Sequence, residues 1–228
     1  QRASIARKAS SSAQANSFHD SVFNHNSVLK KTAEMGISES EFNSAVTACQ
    51  YARPGRGIYQ FFAKETGDFS REEQAMFLAQ LIHESAGFQY KEEIAYAGNN
   101  HHNAYQDNVG LPGKTYHGRG YIQLTWGANY KACSEDLGMG DYLLRNPEVV
   151  ATNTELAVQV SVWYWRSRVR PQIRSQPNCF GATTKAINGA IECSNGFNQQ
   201  AYNRYQKYLK VASALNIRNK ARENGCYN

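Results

Sequence analysis

Three glutamates stand close together in the stretch "LIHESAGFQYKEEIAY", residues 81–96. Glu84 follows an apolar run, and Glu92 and Glu93 come shortly after it. Two carboxyl groups in unlike surroundings can serve as a general acid and a general base, which is the pairing that glycoside hydrolysis uses. The pattern indicates either such a pair or, as the plainer interpretation, a helix end followed by a solvated charge cluster.

The position of Glu84 predicts a raised pKa. The helix that carries it should end near Gly87, and Glu84 lies on the same side of that helix as Phe77 and Leu81. Partial burial and the negative end of the helix dipole both disfavour the carboxylate. A carboxylic acid that remains protonated near neutral pH is what the protonation of a glycosidic oxygen requires.

Glu93 is a better candidate than Glu92 for the ionised partner. If the chain after Gly87 is extended, Glu93 lies on its polar face beside Lys91 and water, where it can act as a general base. Glu92 then shares the apolar face and needs a partner for its charge. A zinc protease is disfavoured, because "HESAG" has no second histidine as H-E-x-x-H demands.

The elements that must position these groups are mainly helices. Helix start signals follow one another from about residue 18 onward, without an internal repeat. Three pairs have the spacing of a capping box: Ser38 with Glu41, Ser70 with Glu73, and Thr152 with Glu155. We therefore expect an α+β fold that is predominantly α-helical.

One segment departs from the helical pattern. In "GRGYIQLTW", residues 118–126, Gln123 and Thr125 alternate with apolar neighbours, which predicts a half-buried strand or hairpin. An amide and a hydroxyl on one face can bind sugar hydroxyls or hold a water molecule, although an ordinary amphipathic strand has the same pattern. The amide of Asn188 in "AINGAIEC" suits an N-acetyl group, or it is a plain turn asparagine.

Composition indicates one folded domain. At 228 residues with 41% hydrophobic content the chain can form one substantial core, and we expect a flexible basic leader over residues 1–17 and a single domain over residues 18–228. No apolar run reaches the roughly 18 residues of a membrane span. Because the chain begins with Gln1, we expect any signal segment to be absent or removed.

The net charge and the cysteines limit the classes of partner and cofactor that the sequence allows. The 25 Lys and Arg against 19 Asp and Glu give a net charge of +6, but the basic residues are scattered and do not form a nucleic-acid module. Five cysteines show neither a C-x-x-C pair nor zinc spacing, so we expect no metal site. Their number favours an oxidising, secreted setting.

The order of the motifs resembles the chitinases of glycoside hydrolase family 19. The motifs are "HES" with a glutamate nine residues after its own, then "GRGYIQLTWGANY", "WYW" and "INGAIEC", and the resemblance covers roughly residues 35–226. It implies a lysozyme-like fold with a small β-hairpin or sheet beside the cleft. It also implies an inverting endo-hydrolase of β-1,4-linked N-acetylglucosamine polymers that is secreted, monomeric and free of cofactors, and that does not insert into membranes.

The resemblance also implies roles for particular residues. Glu84 corresponds to the general acid, Glu93 to the general base, and Thr125 to the serine that positions the water. The implied substrate-binding residues are His83, Tyr116, Gln123, Trp126, Asn129, Asn188 and Glu192. Glu192, with Arg119, resembles a charged network that orients the base, or it is a structural ion pair.

Further implications concern the tail and the tryptophans. The family's C-terminal disulfide maps onto Cys193 and Cys226, whereas Cys49, Cys133 and Cys179 match no family bridge. Trp126, Trp163 and Trp165 are candidates for stacking on sugars, although their spacing favours packing in the core.

Two other functions remain open on this evidence. A peptidoglycan hydrolase on the same scaffold would use the positive charge to approach anionic walls. A lectin that binds chitin without cleaving it would be expected to lack the acid, yet Glu84 is present.

Overall fold

Helices make up most of the chain that the structure describes. The structure is a computed structural model, and it describes residues 36–97 and 104–228. The helices are α1 (Glu39–Ala48), α2 (Ile58–Glu65), α3 (Arg71–Ser85), α4 (Gly127–Asp136), α5 (Tyr142–Arg145), α6 (Val149–Thr152), α7 (Thr154–Tyr164), α8 (Arg170–Ser175), α9 (Phe180–Glu192) and α10 (Gln199–Ala214), with a π-helical turn at Trp165–Val169.

Residues 37–228 form one compact unit. The predicted leader over residues 1–17 and the predicted start of the domain at residue 18 lie outside the described residues and stay predictions. Within the described ranges, none of the helices has the length and hydropathy that crossing a bilayer requires.

The central helix of the unit is α3, which is buried on nearly all sides. Every residue from Gln74 to Ile82 is buried, α10 and α9 pack against α3, and α1 packs against α10. Two buried glutamines lie among the apolar side chains, and both are satisfied: Gln74 bonds to Thr66 and to the Ile37 amide, and Gln80 bonds to Thr183 and Thr184. A helix held in this way presents its last turn, which carries Glu84, in a fixed orientation.

Local capping signals explain where α1, α3 and α7 begin. At α1 the predicted capping box is confirmed, because Ser38 accepts from the Glu41 amide and Glu41 accepts from the Ser38 amide. Ser70 caps α3, but the Glu73 carboxylate is used elsewhere and accepts from Trp165 and Arg170. The predicted cap at Thr152 is wrong by one position. Asn153 caps α7 instead, because a short turn of helix, α6, already contains Thr152.

Helix α3 ends as Gly87 predicts. Ala86 and Gly87 both adopt left-handed conformations, with φ of 49° and 68°, and the Gly87 amide donates to the carbonyl of Ile82. Glycine is required here for a second reason, since a Cβ at Gly87 would collide with the side chain of Tyr51. The chain therefore turns sharply directly after Glu84.

The β element is a tight hairpin and not an extended strand. Arg119 and Leu124 pair through two backbone hydrogen bonds, and Arg119 also forms an antiparallel bridge with Glu92. The predicted alternation of faces over residues 118–126 is wrong, because the chain turns at Gly120 and Gln123, whose φ angles are positive. Tyr121, Ile122 and Leu124 are all buried as a result, and Trp126 is exposed.

One disulfide closes the C-terminal part of the chain. Cys193, directly after α9, is bonded to Cys226, which confirms the pairing that the family resemblance implied. Cys49 and Cys133 are buried free thiols and Cys179 is a half-buried one. The bridge spans 33 positions and contains all of α10, so it restricts the unfolded chain considerably.

We expect the variant Cys193→Ser/Cys226→Ser to lose about 3 kcal/mol in the free energy of unfolding, because the closed loop no longer limits the entropy of the unfolded state. Urea denaturation followed by circular dichroism measures the change. The matched control is Cys179→Ser, which removes a free thiol and should leave the midpoint nearly unchanged. Equal midpoints for the wild type and the double variant would contradict a stabilising role.

Candidate active site

One cleft brings together Glu84 and Glu93, two of the three glutamates that the sequence singles out. It has a volume of about 500 Å³ and lies between the end of α3, the hairpin, the start of α4 and the last turns of α9. Its lining residues are Glu84, Glu93, Tyr105, Gly118, Ile122, Gln123, Thr125, Trp126, Asn129, Tyr164, Ile187, Asn188 and Ile191.

Glu84 is largely withdrawn from water at one wall of this cleft. Its side chain is 16% exposed, and its Oε1 is 2.5 Å from Nη1 of Arg204. Burial raises the pKa of Glu84, the charge and hydrogen bond of Arg204 oppose that rise, and the negative charges of Glu192 and Glu93 add to it. The raised pKa therefore agrees in direction with the sequence prediction.

Arg204 connects Glu84 to a buried polar network. Its guanidinium donates to both carboxylate oxygens of Glu192, at 2.9 and 2.8 Å, and to the side-chain Oε1 of Gln80 at 2.9 Å. Glu192 also accepts from the amide of Asn188 at 2.8 Å. One cation thus faces two carboxyl groups. Glu192 takes the two-pronged contact, and Glu84 makes a single contact with the same guanidinium.

Glu93 faces the same cleft from the turn that follows α3. Its backbone amide donates to the Gly118 carbonyl at 2.8 Å, and its carboxylate accepts from the Gly118 amide at 3.1 Å and from the Tyr105 hydroxyl at 3.2 Å. These contacts hold one carboxylate oxygen toward the backbone and the other toward Tyr105. Glu93 and Glu84 approach the cleft from separate chain segments.

Glu92 points away from the cleft. Its carboxylate contacts the buried ring of His117 at 2.8 Å and Nε of Arg119 at 3.7 Å. Burial lowers the pKa of His117, although the carboxylate of Glu92 acts in the opposite direction. Glu92 therefore has the partner that the sequence argument demanded, and it does not line the cleft.

Aromatic rings border the side of the cleft near Glu93. Tyr105 contacts Trp126 edge to face at 5.4 Å and Tyr96 at 5.7 Å, and Tyr96 stacks on His117. Burial and the neighbouring Glu93 charge raise the pKa of Tyr105 to about 12, so its hydroxyl stays protonated and donates. Trp126 is 44% exposed and offers a ring to the cleft.

Comparison with known proteins decides the family. The family profile described as chitinase class I matches residues 28–179. An endochitinase from Arabidopsis thaliana is 37% identical over 79% of this chain and 65% of its own length. A basic endochitinase from Brassica napus is 33% identical over 76% of this chain and 66% of its own length.

The chain belongs to the chitinases of glycoside hydrolase family 19. It spans about two thirds of the length of these plant relatives. Chitinase C from Streptomyces griseus HUT6037 superposes with a TM-score of 0.65 at 31% identity, over 83% of this chain and 97% of that one. A class IV chitinase from Zea mays gives a TM-score of 0.58 at 30% identity, over 83% of this chain and 86% of that one. The predicted lysozyme-like, predominantly helical fold is confirmed.

Most of the residues that the family resemblance implied lie at the cleft. Glu84 and Glu93 line it, together with Thr125, Gln123, Trp126, Asn129 and Asn188. Asn129 donates to the Thr125 carbonyl at 3.0 Å, which ties α4 to the hairpin. Asn188 interrupts α9 with a non-helical φ of −144°, and this kink turns its side chain toward Glu192.

Three of the implied substrate-binding residues do not line the cleft. Tyr116 is buried, and its hydroxyl donates to the Leu144 carbonyl at 2.7 Å. The Nδ1 of His83 lies 3.3 Å from Nζ of Lys207, and burial together with the charges of Arg204 and Lys207 lowers the pKa of His83 to about 2. Glu192 lies behind Asn188 in the Arg204 network. These three side chains contact partners inside the protein and do not line the cleft.

The predicted pairing of Glu192 with Arg119 is wrong. Arg119 bonds to the Thr115 carbonyl and lies beside Glu92, whereas Glu192 is held by Arg204. The network therefore supports the Glu84 side of the cleft and not the Glu93 side. The sequence does contain a signal for Arg204, which is a charged residue on the buried face of α10, between Ala201 and Tyr208. A buried charged residue requires a partner.

Other features of the site have weaker sequence signals. Tyr105 lies in a loop without periodicity, so its contact with Glu93 was not predictable. Trp163 and Trp165 are buried in the core and donate to Asp136 and Glu73, as packing residues would. Across residues 36–97 and 104–228, no three His, Cys, Asp or Glu side chains form a group that could hold a metal ion.

We expect Glu192→Gln to lower the pKa of Glu84, because the substitution removes a negative charge that raises it and leaves Arg204 in place. A ¹³C NMR titration of the Glu84 carboxyl carbon measures this shift. Glu223→Gln is the matched control, since Glu223 is also buried but is not among the charges that act on Glu84. An unchanged or higher pKa of Glu84 in Glu192→Gln would show that the network does not set it.

Proposed function

We propose that the chain hydrolyses β-1,4 linkages between N-acetylglucosamine units of chitin, within the polymer and with inversion at the anomeric carbon. The observation that carries the proposal is the pair of carboxyl groups on one cleft, Glu84 with a raised pKa and Glu93 held by Gly118 and Tyr105. Membership of the chitinase family and the endochitinase names of the plant relatives support the substrate.

In the proposed reaction Glu84 donates its proton to the glycosidic oxygen as the bond to the anomeric carbon breaks. Glu93 accepts a proton from a water molecule, and the oxygen of that water attacks the anomeric carbon from the opposite face. The hydroxyl of Thr125 positions the water. The reaction consumes one water and inverts the configuration, and it needs no cofactor. Since the protonated form of Glu84 is required, activity falls as the pH rises through its pKa.

The remaining cleft residues have proposed roles in binding. The amides of Gln123, Asn129 and Asn188 offer donors and acceptors to sugar hydroxyls and N-acetyl groups, and the ring of Trp126 offers a flat face. The proposed setting is extracellular and the proposed state is a monomer. The Cys193–Cys226 disulfide supports the extracellular assignment.

Digestion of chitohexaose with analysis of the anomers tests the proposal. We expect internal cleavage and products that appear first as the α-anomer, since the substrate linkage is β. Incubation with bacterial sacculi in parallel tests a peptidoglycan hydrolase, which the net charge of +6 favours. Release of sugars from sacculi alone would overturn the chitinase assignment, and oligosaccharide binding without cleavage would support the lectin.

We expect Glu84→Gln and Glu93→Gln each to reduce kcat on chitohexaose by about 10²–10⁴-fold, because each removes a proton-transfer group. The matched control is Glu92→Gln, which changes the adjacent carboxylate that contacts His117 and should retain activity within about tenfold. Reducing-end release measures the rates. If Glu92→Gln were the inactive variant and Glu93→Gln were active, the assignment of the base would be wrong.

We expect Tyr105→Phe to lower kcat about tenfold, with a smaller change in KM, because it removes the hydroxyl that donates to Glu93 and keeps the ring contact with Trp126. Steady-state kinetics on chitohexaose separate the two constants. Tyr164→Phe is the comparison, since that hydroxyl lines the cleft but donates to the Ala186 carbonyl. A loss confined to KM would show that Tyr105 binds substrate and does not position Glu93.

A further inference from the structure

An exposed cluster of aromatic rings lies beyond the end of α9. The ring of Phe197 is 5.7 Å from that of Tyr202 and 5.6 Å from that of Tyr227. Phe197 is 64% exposed and Tyr202 is 38% exposed. We call these three residues the aromatic platform. Contiguous apolar groups on a surface commonly mark a binding site, yet the platform does not belong to the cleft.

We infer that the aromatic platform is a second carbohydrate-binding surface, which holds a chitin chain outside the cleft. This inference rests on the proposed function for the nature of the polymer. It assigns the platform no part in bond cleavage.

The size of the cleft supports a binding surface beyond it. A volume of about 500 Å³ is that of a site for one small molecule. A polymer bound there must continue across the protein surface or into solvent. A surface that contacts the continuing chain raises the affinity for the polymer through a second point of attachment, and it has little effect on a short oligosaccharide.

The chemistry of the platform suits a sugar chain. Aromatic rings provide flat, rigid contact area at a low cost in conformational entropy, and tyrosine adds a hydroxyl for hydrogen bonding. A pyranose ring likewise presents C–H groups on its faces and hydroxyl groups at its edge. Two tyrosines beside one phenylalanine therefore offer both kinds of contact.

The chain around the platform fixes it in place. Tyr227 follows Cys226, whose disulfide to Cys193 anchors it at the end of α9, and the Tyr227 amide donates to Glu223 at 3.2 Å. Asn198, directly after Phe197, caps α10 by accepting from two backbone amides. Little ordering is left to occur on binding, so the loss of entropy is small.

One short stretch of chain borders both the cleft and the platform. Ile191 lines the cleft in the last turn of α9 and is 72% exposed. Residues 194–196, which lead from there to Phe197, are exposed as well. The platform thus begins a few positions along the chain from Ile191 in the cleft wall, after buried Glu192 and the disulfide-bonded Cys193.

A second copy of the protein is a poorer occupant. An aromatic side chain buries about 150–250 Å² when it is fully covered. Three rings that are already partly covered therefore offer less than the roughly 800 Å² per partner of a stable interface.

The test measures binding to insoluble chitin in the Glu84→Gln background, so that the polymer is not consumed. We expect Phe197→Ala/Tyr202→Ala to bind about tenfold more weakly, which corresponds to about 1.4 kcal/mol. Tyr142→Ala, which removes a ring that is 44% exposed on α5, is the matched control and should bind normally. Phe197→Trp keeps a ring and should retain binding.

Activity, fold and oligomeric state are measured beside chitin binding, so that the outcomes can be told apart. With Glu84 intact, the double alanine variant should keep kcat/KM on chitotetraose within about twofold of the wild type, and circular dichroism should show an unchanged fold. Unchanged binding of the double variant to chitin would overturn the platform while wild-type cleavage of chitohexaose still upheld the proposed function. A wild-type dimer in size-exclusion chromatography that the double variant converts to monomer would also overturn it, by identifying the platform as a subunit interface.

Discussion

The structure depends on one buried cation placed between two carboxyl groups. Arg204 reaches from α10 to Glu84 at the end of α3 and to Glu192 at the end of α9. Removing a guanidinium from water is costly unless its donors are satisfied, so this side chain ties three helices together at one point. Glu84 makes one contact with Arg204 where Glu192 makes two, and burial raises the pKa of Glu84.

The second constraint is the register in which the segment after α3, which carries Glu92 and Glu93, pairs with the hairpin. The bridge between Glu92 and Arg119 directs Glu92 toward His117, and the next residue, Glu93, then faces the cleft. Because side chains of an extended chain alternate, a shift of one position would exchange the two glutamates. Backbone pairing thus decides which of two adjacent carboxylates reaches the cleft. The same pairing fixes the hairpin that carries Gln123 and Thr125.

The C-terminal segment contacts residues that lie behind the cleft wall. Its disulfide fixes the tail to the end of α9, close to Glu192 and Asn188, and the Cys226 sulfur lies 3.7 Å from the Glu192 carbonyl oxygen. The tail therefore supports the buried network that contacts Glu84. It also brings Tyr227 beside Phe197, so one covalent link shapes both the inner wall of the cleft and the outer aromatic platform.

Local sequence signals determined much of the fold. Capping residues such as Ser38, and Gly87 at the end of α3, act over a few positions, and for this reason the start of α1 and the sharp turn after Glu84 were predictable. The burial of Glu84 was predictable from its helical spacing. Of the binding and water-positioning residues that the family motifs predicted, five line the cleft.

Contacts between distant segments were decided only by the tertiary structure. Arg119 lies within the motif of residues 118–126 and was the predicted partner of Glu192. Glu192 instead pairs with Arg204, on the helix that follows α9 in the chain. The hairpin also turns where alternation predicts a strand, because the φ angles at Gly120 and Gln123 are positive, and Tyr121, Ile122 and Leu124 are all buried. Periodicity reports which face of an element is apolar. It does not report which charged group meets another, since that depends on how the helices pack.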